Sequence, residues 1–158
     1  MAAPRVVDRD LGYRRIIRNL KQLGRLNAPA VFVGVRSGAG ESADGTPLVL
    51  IAAVNEFGSS DGHVPERSFL RSTVDENRAA YMKLLERAAG RAVDKGRSAM
   101  RRELELVGAK VASDVQRKIV ALKDPPNAPS TIAAKGSSSP LVDTGRLRQS
   151  IDFEVRGI

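Results

Sequence analysis

Apolar residues recur at helical spacing along most of this chain. From Met100, the positions Leu104, Val107, Val111, Val115, Ile119 and Leu122 follow at intervals of four, three, four, four, four and three, which puts them on one helix face. Upstream, Tyr81, Leu84 or Leu85, Ala88 and Ala92 make a similar stripe. Thr73-Val74-Asp75-Glu76 has the form of a capping box, so a helix is expected to begin near Val74. Pro125-Pro126 ends the run. One rod from 74 to 122 would be roughly 70 Å long at ~1.5 Å per residue, more than a monomer of this size can cover. Gly90 and Gly96 interrupt it, and a break near Asp94 to Gly96 is expected to give two helices.

Asp8 to Gly24 reads as an amphipathic helix. Leu11, Ile16, Leu20 and Leu23 lie near one face with Ile17 beside them, while Arg14, Arg15, Arg18 and Lys21 occupy much of the rest. Such a helix is expected to pack on the chain's own sheet. Ala30 to Arg36 is rich in β-branched residues and reads as a strand. Ser37 to Pro47 lacks periodicity and reads as a mobile loop. Leu48 to Phe57 is apolar on nearly all sides. Strand and helix are both open there, and the Gly58 stop favours a short buried helix.

The stretch Pro125 to Ser150 has the composition of a linker, yet it leads into Ser150 to Arg156, which alternates polar and apolar as a half-buried strand does. It therefore reads as an ordered connection that returns the chain to a sheet. Within it, Asp143, Thr144 and Gly145 read as a structural turn. Asp143 is placed to cap the turn, and Gly145 supplies an unusual dihedral or a close approach. The fold class expected is α+β: a small antiparallel sheet packed with an N-terminal helix and two long helices, or one bent helix, with the last strand returning to the sheet. Residues 1–158 make one domain.

Composition narrows the chemistry. With no cysteine there is no disulfide framework, thiolate nucleophile or cysteine metal site. No apolar run approaches the roughly 20 residues that span a bilayer, so no membrane partner is expected. The N-terminus lacks the apolar stretch of a signal peptide. The 26 basic and 18 acidic residues give a net charge of +8, which favours polyanions or acidic protein surfaces. Two basic zones stand out: Arg14, Arg15, Arg18 and Lys21, preceded by Arg5 and Arg9, and the set Arg97, Arg101, Arg102, Lys110, Arg117 and Lys118. Either could touch DNA phosphates without reading sequence. The single histidine, His63, sits in a Gly-Asp loop with no partner at catalytic or ligand spacing. Gly34 to Gly40 lacks the Lys-Ser/Thr of a phosphate loop. No catalytic residue, cofactor or metal site is identified, and the chain reads as a non-enzyme.

Four signatures occur in a definite order: Asn55-Glu56-Phe57-Gly58, then Val64-Pro65-Glu66-Arg67-Ser68-Phe69-Leu70-Arg71, then Ala128-Pro129-Ser130-Thr131-Ile132 with Lys135-Gly136, then Pro140-Leu141-Val142-Asp143-Thr144-Gly145-Arg146-Leu147. In this order, and over about residues 48 to 156, the chain resembles the tailed-phage virion-morphogenesis or tail-completion family. It is similar also to the G protein of phage Mu and to broader neck and tail-component families. The resemblance implies a structural virion protein assembled in the host cytoplasm. It would form a six-fold ring, or a twelve-fold one, at the head–tail junction or the top of the tail. Its partners would be copies of itself, neighbouring head–tail connector proteins and tail-tube or terminator proteins, with DNA passing through the channel. Phe57, Arg67, Phe69, Leu70 and Arg71 are then expected at or near a subunit boundary, because large apolar residues stand beside polar turns. The rival reading is a basic nucleic-acid-binding protein acting outside a particle. A hydrolase using Asp61 and His63 is the weakest reading.

Overall fold

The computed structural model describes residues 12–136 and 138–158. In chain order the elements are α1 (Tyr13–Leu23), β1 (Ala30–Val35), α2 (Leu48–Phe57), α3 (Arg71–Lys95), α4 (Arg97–Ala121), α5 (Pro129–Lys135), α6 (Arg146–Gln149) and β2 (Ile151–Arg156). The architecture is α+β, as the patterning predicts. The two strands pair antiparallel, with Ala30 opposite Arg156 and Val35 opposite Ile151. A two-stranded ribbon alone is marginal in water, and here α4 packs against both strands.

α4 is the central element, with α3 along it as the other arm of a helical hairpin. Leu104, Val107, Val111, Val115 and Ile119 of its apolar stripe are buried. Val33, Val35 and Phe153 from the sheet pack against this core. Close approach of strand to helix depends on Gly108, where an added Cβ would stand 2.7 Å from Cγ of Phe153. Gly108→Ala should therefore force the strand outward and cost about 1–3 kcal/mol, read as a lower urea midpoint. On the α3 side, the buried Asp114 accepts from the Tyr81 hydroxyl at 2.8 Å and from Lys110 Nζ at 2.6 Å, and it pairs with Arg117. Burial raises the Asp114 pKa, but the bonds from Lys110, Tyr81 and Arg117 outweigh it and hold the carboxyl below the usual range.

The expected break falls where the glycines place it. α3 ends at Lys95, Gly96 takes φ 82°, and α4 starts at Arg97. α1 packs chiefly on α3, a correction to its expected place on the sheet. The cause is Asn19, which is buried and donates from Nδ2 to the Val93 carbonyl at 2.9 Å. Val93 lies in the last turn of α3, whose carbonyls have no onward helical partner. Leu20, expected on the buried face, is 45% exposed. Leu11 and the expected start at Asp8 lie outside the described residues.

Two local expectations also need correction. α3 begins at Arg71, not Val74, and the capping box does not form. Thr73 Oγ1 instead donates back to the Phe69 carbonyl at 2.6 Å, and Glu76 accepts from Lys118 Nζ at 2.6 Å. At the second place, α6 starts behind Gly145 (φ 78°), so the N-cap position is a residue with no side chain and Asp143 does not fill it. The positive φ at Gly145 is the unusual dihedral expected there. The aperiodic 37–47 segment folds into a turn bridged from Glu41 to Pro47, and Arg146 Nη1 donates to the Glu41 carbonyl at 2.8 Å.

Candidate functional site

The signatures Asn55 to Gly58 and Val64 to Arg71 meet in space through one carboxylate. α2 presents Leu48, Ala52 and Glu56 on a single side at intervals of four, and all three are buried. Glu56 reaches the start of α3. Its Oε1 accepts from Ser68 Oγ at 2.7 Å and from the Arg71 amide at 2.9 Å. Its Oε2 accepts from the amides of Phe69 and Leu70, both at 2.8 Å. A side chain from another helix thus does the work of an N-cap, satisfying amides that lack helical partners and placing a negative charge at the positive end of the helix dipole. Burial pushes the Glu56 pKa up, but the bonds from Leu70, Arg71, Ser68 and Phe69 prevail and hold it below the ordinary glutamate range.

Arg67 extends the same junction. It is 6% exposed, and its guanidinium donates to the carbonyls of Pro125 (2.8 Å) and Pro126 (2.9 Å). Its amide donates to the Asn55 carbonyl at 2.7 Å. The loop thereby ties the end of α2, the start of α3 and the exit of α4. Gly58 makes the turn possible: its φ is 77°, and a Cβ there would lie 3.2 Å from the Glu66 amide nitrogen.

The opposite side of α2 carries no charge and is uncovered among the described residues. Val49 is 41% exposed, Leu50 53% and Phe57 68%, with Ala53 exposed between them. Residues 49, 53 and 57 form one stripe at intervals of four. Each end of the helix is followed or preceded by an exposed aspartate in a tight turn. Asp44 accepts from Ser42 Oγ and from the Thr46 amide at 3.1 Å; Asp61 accepts from Ser59 Oγ at 2.5 Å and from the His63 amide at 3.1 Å. These bonds, the serine hydroxyls first, keep both carboxyls below the usual aspartate range.

The five residues expected at a boundary therefore divide. Phe69 is 0% exposed and belongs to the chain's own core, and Arg67 is spent on the proline carbonyls. Leu70 is half-buried against that core. Phe57 and Arg71 are exposed, Arg71 paired with Glu66. Asp143, Thr144 and Gly145 line a cleft of about 230 Å³ with Asp44, Leu48 and Asn55, joining the turn to the base of α2. Leu141 and Leu147 anchor that turn in the core. Arg14, Arg15, Arg18 and Lys21 are all exposed on α1.

His63 Nδ1 lies 3.2 Å from Asp61 Oδ2 on an exposed loop. Among the described residues no group of three or more His, Asp or Glu is placed to hold a metal ion. Among the same residues no helix is long and apolar enough to cross a membrane. Sequence reasoning assigned Glu56 no role of its own. The available signal was a lone carboxylate in a ten-residue helix that is apolar but for Asn55 beside it, since a charge on such a helix needs a buried partner. Comparison of the chain with family models, with curated proteins and with solved structures finds no match.

Proposed function

We propose that this chain is a structural virion protein that forms a ring at the head–tail junction or the top of a phage tail, joining or completing the tail around the DNA exit channel. The observation that carries the reading is the uncovered apolar face of α2, in the stretch that bears Asn55-Glu56-Phe57-Gly58. A helix with apolar residues on both its inner and outer sides belongs in a buried setting. Glu56 fixes one side of α2 to the start of α3, so the other side is held outward as a rigid contact surface. The remaining signatures serve the same end: Arg67, Gly58, Leu141 and Leu147 make turns and anchors.

The free DNA-binding reading is weakened by the helical hairpin. Arg101 pairs with Glu105, Lys110 and Arg117 with Asp114, and Lys118 with Glu76. Much of the basic zone on α4 is thus neutralised within the chain. The test is imaging of particles assembled without this protein. Unjoined heads and tails support joining, and overlong tails support completion. Normal particles would sink the proposal, as would binding to DNA that falls steeply with salt in a chain that never self-associates.

A further inference from the structure

We infer that the apolar face of α2 is covered by α1 of a second copy of this chain; the inference rests on the ring reading and names its contact. α1 carries a second outward stripe. Tyr13 is 70% exposed and Leu20 45%, with Ile17 half-buried between them at intervals of four and three. Asn19 holds α1 against α3 and leaves this stripe facing away from the Val93 contact. The charges around the two stripes are opposite. The α2 stripe contains no ionised group and is framed by Asp44 and Asp61, both exposed carboxylates. On α1, Lys21 borders the stripe and Arg18 lies farther round on the same side, both exposed.

The two helices also match in length, at 11 and 10 residues, or about 15 Å each at ~1.5 Å per residue. An apolar stripe on one meets an apolar stripe on the other, while acidic turns at the ends of α2 meet the basic flank of α1. Because the two faces differ, the contact is heterologous, the kind that builds a ring when its rotation closes. The basic character of α1 then serves assembly instead of DNA.

The absence of cysteine makes a clean test possible. Ala53→Cys lies at the middle of the α2 stripe and Leu20→Cys on the α1 stripe, so orientation matters little. The two variants are purified separately, mixed, and treated with a bismaleimide matched to the roughly 8–10 Å spacing of packed helices. A product of twice the chain mass in the mixture, and in neither variant alone, is the expected result. In parallel, D44K/D61K should weaken self-association about three- to tenfold, as expected for two exposed ion pairs, and adding R18E/K21E to the same chain should restore it. Oligomers that form without the mixed product, or with Ala53→Cys chains joined only to each other, overturn this contact while the ring reading stands. Oligomers that the fourfold charge exchange fails to restore also overturn it. A chain that remains monomeric under every condition removes both.

Discussion

Replacing Glu56 by alanine is expected to lower stability by about 3–5 kcal/mol, since hydrogen bonds to a charged group contribute about 1.5–3 kcal/mol each and are not additive. Four donors lose one acceptor: Ser68 Oγ and the amides of Phe69, Leu70 and Arg71. The Phe69 bond is fully buried, so water cannot replace it there. Against a total of about 5–15 kcal/mol for an ordinary domain, this is a large share. Glu56→Gln keeps one oxygen but turns an amide N–H toward the donors, and it should cost nearly as much. Urea unfolding at pH 7 measures both. The pH dependence has a definite sign. The native carboxyl titrates below its ordinary value of 4.5, so the unfolded state takes up the proton first and stability falls as pH drops below about 4.5 toward the native value. The gap between the wild-type chain and Glu56→Gln should therefore be full at pH 7 and narrow at pH 3. Equal stability of the two at pH 7 would remove the capping role.

Phe69→Ala should cost a similar amount, about 3–5 kcal/mol for a buried aromatic side chain. Its neighbour in the assembly question, Phe57→Ala, should change stability by less than about 0.5 kcal/mol, as exposed positions do. Self-association should respond in the opposite order. Phe57→Ala weakens it in a fully folded chain, whereas Phe69→Ala affects it only through the folded fraction. Native mass spectrometry and urea unfolding on the same samples separate the two. If Phe57→Ala destabilises the monomer and leaves oligomers intact, the outward face of α2 has no assembly role.

These two phenylalanines show how far the sequence can be read. Both sit beside polar turns and look alike in one dimension, yet one is core and the other surface. The difference is made by Glu56, which pulls residues 68–71 inward from another helix. Local patterns report local energies well. The helix over 48–57, the break at Gly96, the stripe on α4 and the returning strand at 151–156 are all legible because each depends on spacing or on one glycine. The capping box at Thr73 to Glu76 misleads for the same reason: it weighs only neighbours, while a carboxylate fifteen positions upstream of Arg71 already holds the helix start. Asn19 on Val93 and Arg67 on Pro125 are likewise contacts between distant segments. The outer face of α2 is legible as apolar, but only the geometry tells which of its residues are outside.

The pairing of Ala30 with Arg156 has a consequence for synthesis. The first strand leaves the ribosome long before its mate is translated, and it must wait through some 120 intervening residues for a partner. During that delay the helices can form, but Val33 and Val35 have no sheet to join, and any stalled or truncated product would keep an open edge. The complete fold is therefore reached only when translation has passed the last strand, and a chain that ends before Ile151 keeps its first strand unpaired.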